Sequence, residues 1–273
     1  MKFAICNETF KDWPFEKAFA YARELGYTGI EFAPFTMNKD AYAISPEQRR
    51  EVRSQAEAAG LEVIGLHWLL AFTEGYYLTS PDEAVREKTG AYLSELARLC
   101  RDLGGNILVL GSPAQRNLQP LGISHDEGMK NAADTIGRAV DDFAKAGVTL
   151  AIEPLGPEEG DFLNLTEQGV ELAKMIDSPH VKLHLDVKAM SSEEKPIPDI
   201  IRDSRDWVVH FHANDANRRG PGMGEIDFAS IFAALKEINY DGWVSVEVFD
   251  YEPGVETLAS ESIAYMREVL AKG

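Results

Sequence analysis

The sequence predicts a closed (β/α)8 barrel in which residues 1–273 form a single domain. Helix-like segments alternate strictly with short β-rich runs along the whole chain, with no linker or low-complexity stretch between them. This alternation favours a parallel sheet. Eight strand–helix units fit into the chain, and closed barrels of this kind typically take about 250 residues. The number and size of the units therefore favour closure of the sheet.

The predicted strands are short runs of apolar and β-branched residues. The clearest is Val208–His212, in which Val209 and Phe211 alternate with His210 and His212. The eight predicted strands cover residues 2–6, 29–32, 62–67, 106–110, 149–153, 181–186, 208–212 and 243–247. An open doubly wound sheet is the alternative architecture. A dinucleotide site of that fold has no support, because no G-x-G-x-x-G follows the first strand.

The predicted helices fill the intervals between these strands. They cover residues 15–25, 46–59, 82–103, 126–146, 167–176, 197–203, 228–238 and 257–271. Ser45 and Ser80 each precede a proline, which suits a capping residue followed by the first helical position. Ser124 begins a similar capping box without the proline. Gly26, Gly60, Gly104 and Gly147 stand where four helices are expected to end in the left-handed conformation.

The net charge of −18 bears on the choice of partner. A strongly acidic surface repels polyanions, so DNA, RNA and anionic membranes are disfavoured as partners. A small, mostly neutral carbohydrate or a metal cation fits this charge better, although the charge also serves solubility alone. The oligomeric state stays open, and a homo-oligomer is compatible with the sequence.

A cytoplasmic location is expected from three further features. Cys6 and Cys100 form no C-x-x-C pair and give no disulfide framework, which favours a reducing compartment. The polar N-terminal segment does not resemble a secretory signal. No apolar run reaches the roughly 18 residues that a membrane-spanning helix needs.

The last four predicted strands all end on an ionisable side chain. The residues are Glu153, Asp186, His212 and Glu247. Because active sites of (β/α)8 barrels lie at the C-terminal ends of the strands, these side chains are expected to converge. Glu8 and Glu31 lie near the ends of the first two strands but are not included in this set. His184 and His210 point the same way one layer deeper and are predicted to be hydrogen-bonded core side chains.

Three carboxylates that converge in a buried site repel one another, so a divalent cation is the simplest partner for them. Three oxygen donors and one imidazole suit Mn²⁺ first, with Mg²⁺ and Co²⁺ as alternatives, whereas structural zinc prefers cysteine and histidine. The alternative is that some of these acids form ion pairs with Lys188, Arg218 or Arg219. The coincidence on four consecutive strands favours the metal site.

These residues resemble a known family. The set Glu153, Asp186, His212 and Glu247, with Arg218 six positions after the histidine and a G-x-G-x-x-D run from Gly222 to Asp227, resembles xylose-isomerase-like TIM barrels of the sugar (phosphate) isomerase/epimerase branch. Ketose 3-epimerases and hydroxypyruvate isomerases are the nearest named relatives. The resemblance covers nearly the whole chain and implies an isomerase or epimerase, without specifying one reaction.

By this resemblance, Glu153, Asp186, His212 and Glu247 bind the metal, and Glu153 and Glu247 also form the catalytic acid–base pair. Such a pair could transfer a proton next to a carbonyl through an enediolate that the metal stabilises. By the same resemblance, Glu159 and Arg218 contact the substrate. An ion pair of Arg218 with Asp215 or Glu225 stays open.

His67 and Trp68, at the end of the third strand, are candidates for a wall that faces the sugar, since aromatic faces pack against sugar C–H groups. Core packing is the alternative for the tryptophan. The ketose epimerases usually carry a histidine three residues after the sixth-strand aspartate. Here Ala189 occupies that position, and Lys188 is the candidate for the missing substrate contact.

This departure keeps other functions open. A keto-sugar dehydratase or lyase would begin with the same proton abstraction beside a carbonyl. A non-catalytic sugar-binding subunit is a further alternative, although it would not need an acid–base pair. A DNA-repair enzyme similar to endonuclease IV is disfavoured, because six histidines are few for its trinuclear zinc site and the chain is strongly acidic.

Overall fold

Eight parallel strands close into a barrel in chain order in the computed structural model, which describes residues 1–272. The strands are β1 Lys2–Cys6, β2 Gly29–Phe32, β3 Glu62–Leu66, β4 Ile107–Leu110, β5 Thr149–Ile152, β6 Val181–Asp186, β7 Val208–Ala213 and β8 Trp243–Val246. Each predicted strand agrees with an observed strand to within one residue at either end. The predicted (β/α)8 fold, a TIM barrel, is therefore confirmed.

Helices surround the barrel and bury one face against it. They are α1 Phe15–Leu25, α2 Pro46–Ala59, α3 Glu83–Leu103, α4 His125–Gly137, α5 Val140–Ala146, α6 Thr166–Ile176, α7 Val187–Met190, α8 Ile197–Asp203, α9 Phe228–Glu237 and α10 Val255–Lys272. Short 3₁₀ turns occupy several of the loops. Within residues 1–272, no helix combines the length and the apolar character that crossing a bilayer requires.

The prediction of one helix over residues 126–146 is wrong. The structure has two helices here, because α4 ends at Gly137 and α5 starts at Val140. Glycine disfavours a helix by about 1 kcal/mol relative to alanine, which weakens the chain at this point. Arg138, at the break, reaches Glu83 and Glu87 on α3 at 3.2 and 3.3 Å. At the break, Arg138 therefore contacts α3 as well as Asp134 of its own helix.

The helix caps follow the sequence with one exception. Ser45 accepts a hydrogen bond from the amide of Gln48 and its own amide donates to the Gln48 side chain, which completes the predicted capping box. Ser124 caps α4 as predicted. Ser80 does not cap α3, because that helix begins later and Asp82 accepts from the amide of Ala84 at 2.9 Å.

The register of the sheet determines which strand ends face each other. Asp186 on β6 is the Cα partner of His212 on β7, and Cys6 on β1 is the partner of Glu31 on β2. On β3, a Cβ at Gly65 would lie 2.1 Å from the carbonyl oxygen of Ile107, so only glycine allows this strand spacing. The barrel thus carries its polar side chains in adjoining positions at one end.

Candidate active site

Four side chains from β5 to β8 meet at the C-terminal mouth of the barrel. Glu153 and Glu247 each follow the last residue of their strand, Asp186 ends β6, and His212 lies near the end of β7. All four are buried, with exposed fractions of 0 to 7 %. Glu153, Asp186 and His212 offer one ligand atom each, together with His184, within 4.8 Å of one another. Glu247 Oε2 lies 3.1 Å from Nδ1 of the same His212. Three of the four predicted ligands therefore lie close together, and Glu247 adjoins them through His212.

Asp186 is oriented by two hydrogen bonds. Its Oδ1 accepts from the backbone amide of Ala189 at 2.8 Å, which also caps the short helix α7. Its Oδ2 accepts from Nδ2 of Asn214 at 2.5 Å, and Oδ1 of the fully buried Asn214 accepts from the amide of Lys188. Asn214 was not among the predicted site residues. Its only signal was a polar side chain two residues after the strand-end histidine.

Glu153 depends on a glycine of the neighbouring strand. A Cβ at Gly111, directly after β4, would lie 2.1 Å from Oε2 of Glu153. The fourth strand thus ends on glycine because a larger residue would occupy the place of the carboxylate. Behind Glu153, the buried Arg116 donates from Nη1 to the Glu153 backbone carbonyl at 2.7 Å and so holds the strand end in place.

Glu247 is oriented by Trp68. The indole Nε1–H of Trp68 donates to Oε1 of Glu247 at 2.7 Å. Trp68 has a positive φ of 53°, which is uncommon for a bulky residue and fits a position where the surrounding structure fixes the backbone. Trp68 therefore acts on the carboxylate as well as contributing an aromatic wall.

A second layer of side chains lies directly beneath His212. Glu31 is fully buried, and its Oε2 lies 2.8 Å from His210 Nε2 and 3.1 Å from His212 Nε2. Burial raises the pKa of Glu31, but the charges of His210 and His212 outweigh it and leave the pKa well below its usual range. An ionised Glu31 accepts the Nε2–H of His212, so that Nδ1, which lies against Glu247 here, is the ring nitrogen that a bound cation would take.

Replacing Glu31 by glutamine is expected to weaken Mn²⁺ binding by about 10- to 100-fold, because His212 loses the acceptor that fixes its tautomer. Isothermal titration calorimetry on the chelated protein measures this change. Glu8→Gln is the matched control, since Glu8 Oε2 lies 2.8 Å from Nε2 of His67 and Glu8 is near Glu247 but has no hydrogen bond with His212 among the described residues. Equal losses in the two variants would contradict the role of Glu31.

His210 and His184 behave differently. The prediction of a hydrogen-bonded core side chain is confirmed for His210, which contacts Glu31. It is wrong for His184, because within residues 1–272 neither of its ring nitrogens has a hydrogen-bond partner. Burial, together with the charges of His212 and His210, holds the pKa of His184 well below its usual range, so this imidazole is neutral. A neutral, buried imidazole beside Glu153 and Asp186 is a further donor for a cation.

The carboxyls of the site do not ionise equally in the absence of a cation. Burial and the neighbouring Glu247 and Asp186 raise the pKa of Glu153 well above its usual range. Burial raises the pKa of Asp186 to about 6, against the opposing charge of Lys188. Burial also acts on Glu247, but the charge and hydrogen bond of His212 outweigh it and lower its pKa. Repulsion of this kind among converging acids is what a divalent cation relieves. The donor set thus fits a cation that prefers oxygen ligands.

A cavity of about 610 Å³ opens above these residues. Its wall includes both glutamates and most of the predicted substrate contacts, namely Trp68, Glu153, Glu159, Lys188, Arg218 and Glu247. Asp186 and His212 lie deeper, with 2 % and 0 % of their surface exposed. His67 is fully buried and its Nε2 lies against Glu8, so the structure does not put it on a sugar-facing wall.

Lys188 and Arg218 approach the cavity in different ways. Lys188 Nζ lies 2.6 Å from Glu159 Oε1 and 4.2 Å from the ring centre of Phe249. Arg218 is exposed, with its guanidinium 6.0 Å from the same ring. Among the described residues, its side chain forms no ion pair with Asp215 or Glu225, the alternative that the sequence left open. Both cations can therefore reach a ligand in the cavity.

The sequence matches known proteins along nearly its whole length. A family model described as xylose isomerase-like TIM barrel matches residues 19–269. A probable ketose 3-epimerase of Synechocystis sp. is 28% identical over 273 residues, which covers 93% of this chain and 90% of that protein. The 2-oxo-tetronate isomerase of Pectobacterium atrosepticum is 27% identical over 254 residues, with 91% and 90% covered.

A crystal structure of a D-psicose 3-epimerase, determined in the presence of D-fructose, has the same fold with a TM-score of 0.87. The match has 24% sequence identity and covers 99% of each chain. The family model spans nearly the entire barrel, and the resemblance seen in the sequence is confirmed. The chain belongs to the xylose isomerase-like TIM barrel family.

Proposed function

We propose that the protein is a divalent-metal-dependent isomerase or epimerase of keto-sugars, which moves a proton on the carbon beside the carbonyl. One observation carries the proposal: two buried carboxylates, Glu153 and Glu247, line the same cavity from strands β5 and β8. Between these strands lie β6 and β7, whose ends carry Asp186 and His212. The named relatives, ketose 3-epimerases and a 2-oxo-tetronate isomerase, support this class of reaction.

The acid–base roles follow from the different surroundings of the two glutamates. Glu247, whose pKa is lowered, is ionised at neutral pH and suits the proton acceptor. In the cation-free site, burial and its acidic neighbours raise the pKa of Glu153, so Glu153 holds a proton more readily than Glu247 and suits the proton donor. Environments that push the pKa values of two carboxyls apart are typical of acid–base pairs. In the reverse direction the two glutamates exchange roles. Return of the proton to the same carbon gives an epimer, and return to the neighbouring carbon gives an isomer.

Glu153, Asp186, His212 and Glu247 would hold the cation, and His184 is an additional donor. A bound divalent cation would stabilise the negative charge that develops on the substrate oxygens during proton transfer. Mn²⁺ is our first choice, because the set combines several carboxylate oxygens with imidazole nitrogen. Asn214 and Trp68 keep two of these carboxylates in fixed orientations, so little rearrangement is needed when substrate binds.

The remaining polar groups of the cavity would bind sugar hydroxyls. Lys188 and Glu159 form an ion pair at the wall, and each retains capacity for a further hydrogen bond. Lys188 stands in for the histidine that the family usually carries at the position of Ala189, whose side chain is buried here. Arg218 provides a second exposed cation at the rim.

Solvent-exchange measurements test the proposal directly. Incubation of the Mn²⁺-loaded protein with a panel of ketoses and keto-sugars in D₂O is expected to introduce deuterium beside the carbonyl of at least one sugar. Deuterium at C3 with an inverted hydroxyl indicates epimerisation, and deuterium at the former carbonyl carbon indicates isomerisation. NMR and mass spectrometry distinguish the two outcomes.

Other products would identify the competing functions. Loss of water or of a sugar substituent after exchange would indicate a dehydratase or lyase, which starts with the same proton abstraction. Binding of sugar without deuterium incorporation in the presence of Mn²⁺ would contradict an enzyme and favour a sugar-binding subunit. The same panel without Mn²⁺ is the control for metal dependence.

A further inference from the structure

A second cavity of about 580 Å³ adjoins the one that contains the glutamates. The two cavities share three wall residues, Trp68, Arg218 and Phe249. Pockets of 300–1,000 Å³ are typical for drug-sized ligands, so each cavity alone has room for one ring system. We call the second cavity the aromatic annex.

The wall of the annex consists largely of aromatic rings. They belong to Phe10, Trp13, Phe15, Phe35, Phe72 and Tyr251, in addition to the shared Trp68 and Phe249. Phe35 contacts Phe72 and Trp68 edge-on, with ring centres 4.8 and 5.9 Å apart, and Trp68 lies parallel to Phe72 at 6.5 Å. Such faces bind the C–H surface of a sugar or the face of an aromatic ring.

The polar groups of the annex are of mixed sign. Glu8 and Asp12 line it together with Lys11 and Arg218, so the annex has no excess of positive charge. A phosphate or another anion would meet carboxylates here as well as cations, in a chain with a net charge of −18. The occupant that fits these surroundings is therefore an uncharged ring.

The annex also contains an exposed aromatic side chain next to the catalytic machinery. Phe72 is 57% exposed and lies against Trp68, whose indole nitrogen binds Glu247. A ring in the annex would cover Phe72 and lie close to Trp68, the residue that orients Glu247. The two cavities adjoin at Trp68, Arg218 and Phe249, and a ligand with two rings that extends past this shared edge would reach both.

From this continuity we infer that the substrate is a keto-sugar linked to a second, uncharged ring, and that the aromatic annex binds the second ring. The second ring is either another sugar or an aromatic group, which share the flat apolar face that the annex recognises. This inference rests on the proposed function, which defines the reaction of the keto-sugar. It adds the class of substrate on which that reaction takes place.

Three matched ketoses test the inference: D-fructose, 6-O-α-D-glucopyranosyl-D-fructose and 6-O-benzyl-D-fructose. They share the reacting end of the ketose and differ in the ring attached at C6. At least one ring-bearing ketose is expected to exceed D-fructose in kcat/KM by about tenfold, as an aromatic contact of this kind allows. The ring-bearing ketose with the larger increase in kcat/KM shows whether the second ring is a sugar or an aromatic group.

Phe72→Ala is expected to remove most of this roughly tenfold preference, because Phe72 contributes an exposed face of the annex. Its exposure keeps the risk of unfolding small, and a thermal melt verifies the fold. Tyr42→Ala is the matched control, since Tyr42 is also an exposed aromatic residue, at 52%, and does not line the annex among the described residues. This control should retain the preference of the wild-type protein.

Two results would overturn the inference. One is equal or lower kcat/KM for both ring-bearing ketoses than for D-fructose in the wild-type protein. The other is an equal effect of Phe72→Ala and Tyr42→Ala on the preference. If no ketose reacts, calorimetric affinities of the same three compounds for the Mn²⁺-loaded protein decide. Tighter binding of a ring-bearing ketose that Phe72→Ala abolishes would support the annex while the proposed reaction fails, and equal affinities would reject the annex.

Discussion

Glu247→Gln and Glu153→Gln are each expected to lower the interconversion of the two sugar epimers by about 10²–10⁴-fold at saturating Mn²⁺. Glutamine preserves the shape of the side chain but cannot accept the proton. At position 247 its amide oxygen can still accept the hydrogen bond of Trp68, so the orientation of the side chain is retained. The rate of epimerisation and the Mn²⁺ affinity of each variant are measured separately. The two measurements distinguish a loss of proton transfer from a loss of metal binding.

The same two variants test whether Glu153 and Glu247 act as two separate bases or whether one base serves both epimers. If Glu153 and Glu247 act as separate bases, each single variant keeps solvent deuterium exchange with one epimer and loses it with the other. The two variants then differ in which epimer still exchanges. Glu158→Gln is the matched control, because Glu158 is an exposed carboxylate on the rim of the same cavity. Loss of exchange with both epimers in one variant and with neither in the other would contradict the two-base assignment.

Removal of the metal is expected to abolish turnover and to lower thermal stability. A ligand present at 1,000 times its Kd stabilises the folded state by about 4 kcal/mol, which corresponds to roughly 10 °C in Tm for a chain of this size. The buried acids Glu153, Asp186 and Glu247 make this dependence strong, because they repel one another without a cation. Differential scanning fluorimetry with a chelator and with added Mn²⁺ measures the shift. Full activity in the chelated protein would contradict metal dependence.

The stability difference should also depend on pH. Burial raises the pKa of Glu153 and Asp186 in the folded chelated protein, for Asp186 to about 6. Their contribution to stability is present below the pKa of the unfolded chain and is lost as pH rises through the raised values. His184, whose pKa burial lowers, contributes in the opposite direction, whereas His212, whose pKa the charges of Glu247 and Glu31 raise against burial, contributes in the same direction as the two acids. The Tm difference between the Mn²⁺-bound and chelated forms should therefore grow between about pH 5 and pH 8, and a shrinking difference would contradict these shifts.

Much of the fold follows from local features of the sequence. Proline and capping side chains mark the start of α2, and the period of the apolar runs defines all eight strands. The single predicted helix over residues 126–146 is wrong at Gly137, where the helix breaks and the next residue, Arg138, contacts α3. Such a contact joins residues far apart in the chain, and helix propensity alone does not reveal it.

The site was predictable to the extent that it depends on strand ends. Glu153, Asp186, His212 and Glu247 occupy corresponding positions on neighbouring strands, so topology alone brings them together. Supporting residues were not predictable in this way. The hydrogen bond from Asn214 to Asp186 and the space that Gly111 leaves for Glu153 depend on loop geometry and packing.

The role of Glu31 was also not predictable from the sequence. In sequence it is one acid among many near a strand end, yet in the barrel its carboxylate contacts both His210 and His212. The relation depends on how far each strand is shifted against its neighbours, which periodicity does not determine. The annex is likewise invisible in the sequence, since its rings come from four separate segments, which carry Trp13, Phe35, Phe72 and Tyr251.

Anomalous diffraction at the manganese edge, from crystals grown with Mn²⁺, tests the central claim most directly. We expect one strong peak at the mouth of the barrel, within bonding distance of Glu153, Asp186, His212 and Glu247. No peak there, or a peak coordinated only by His184, His210 and His212 in the layer below, would contradict the assignment of these four residues as the metal site.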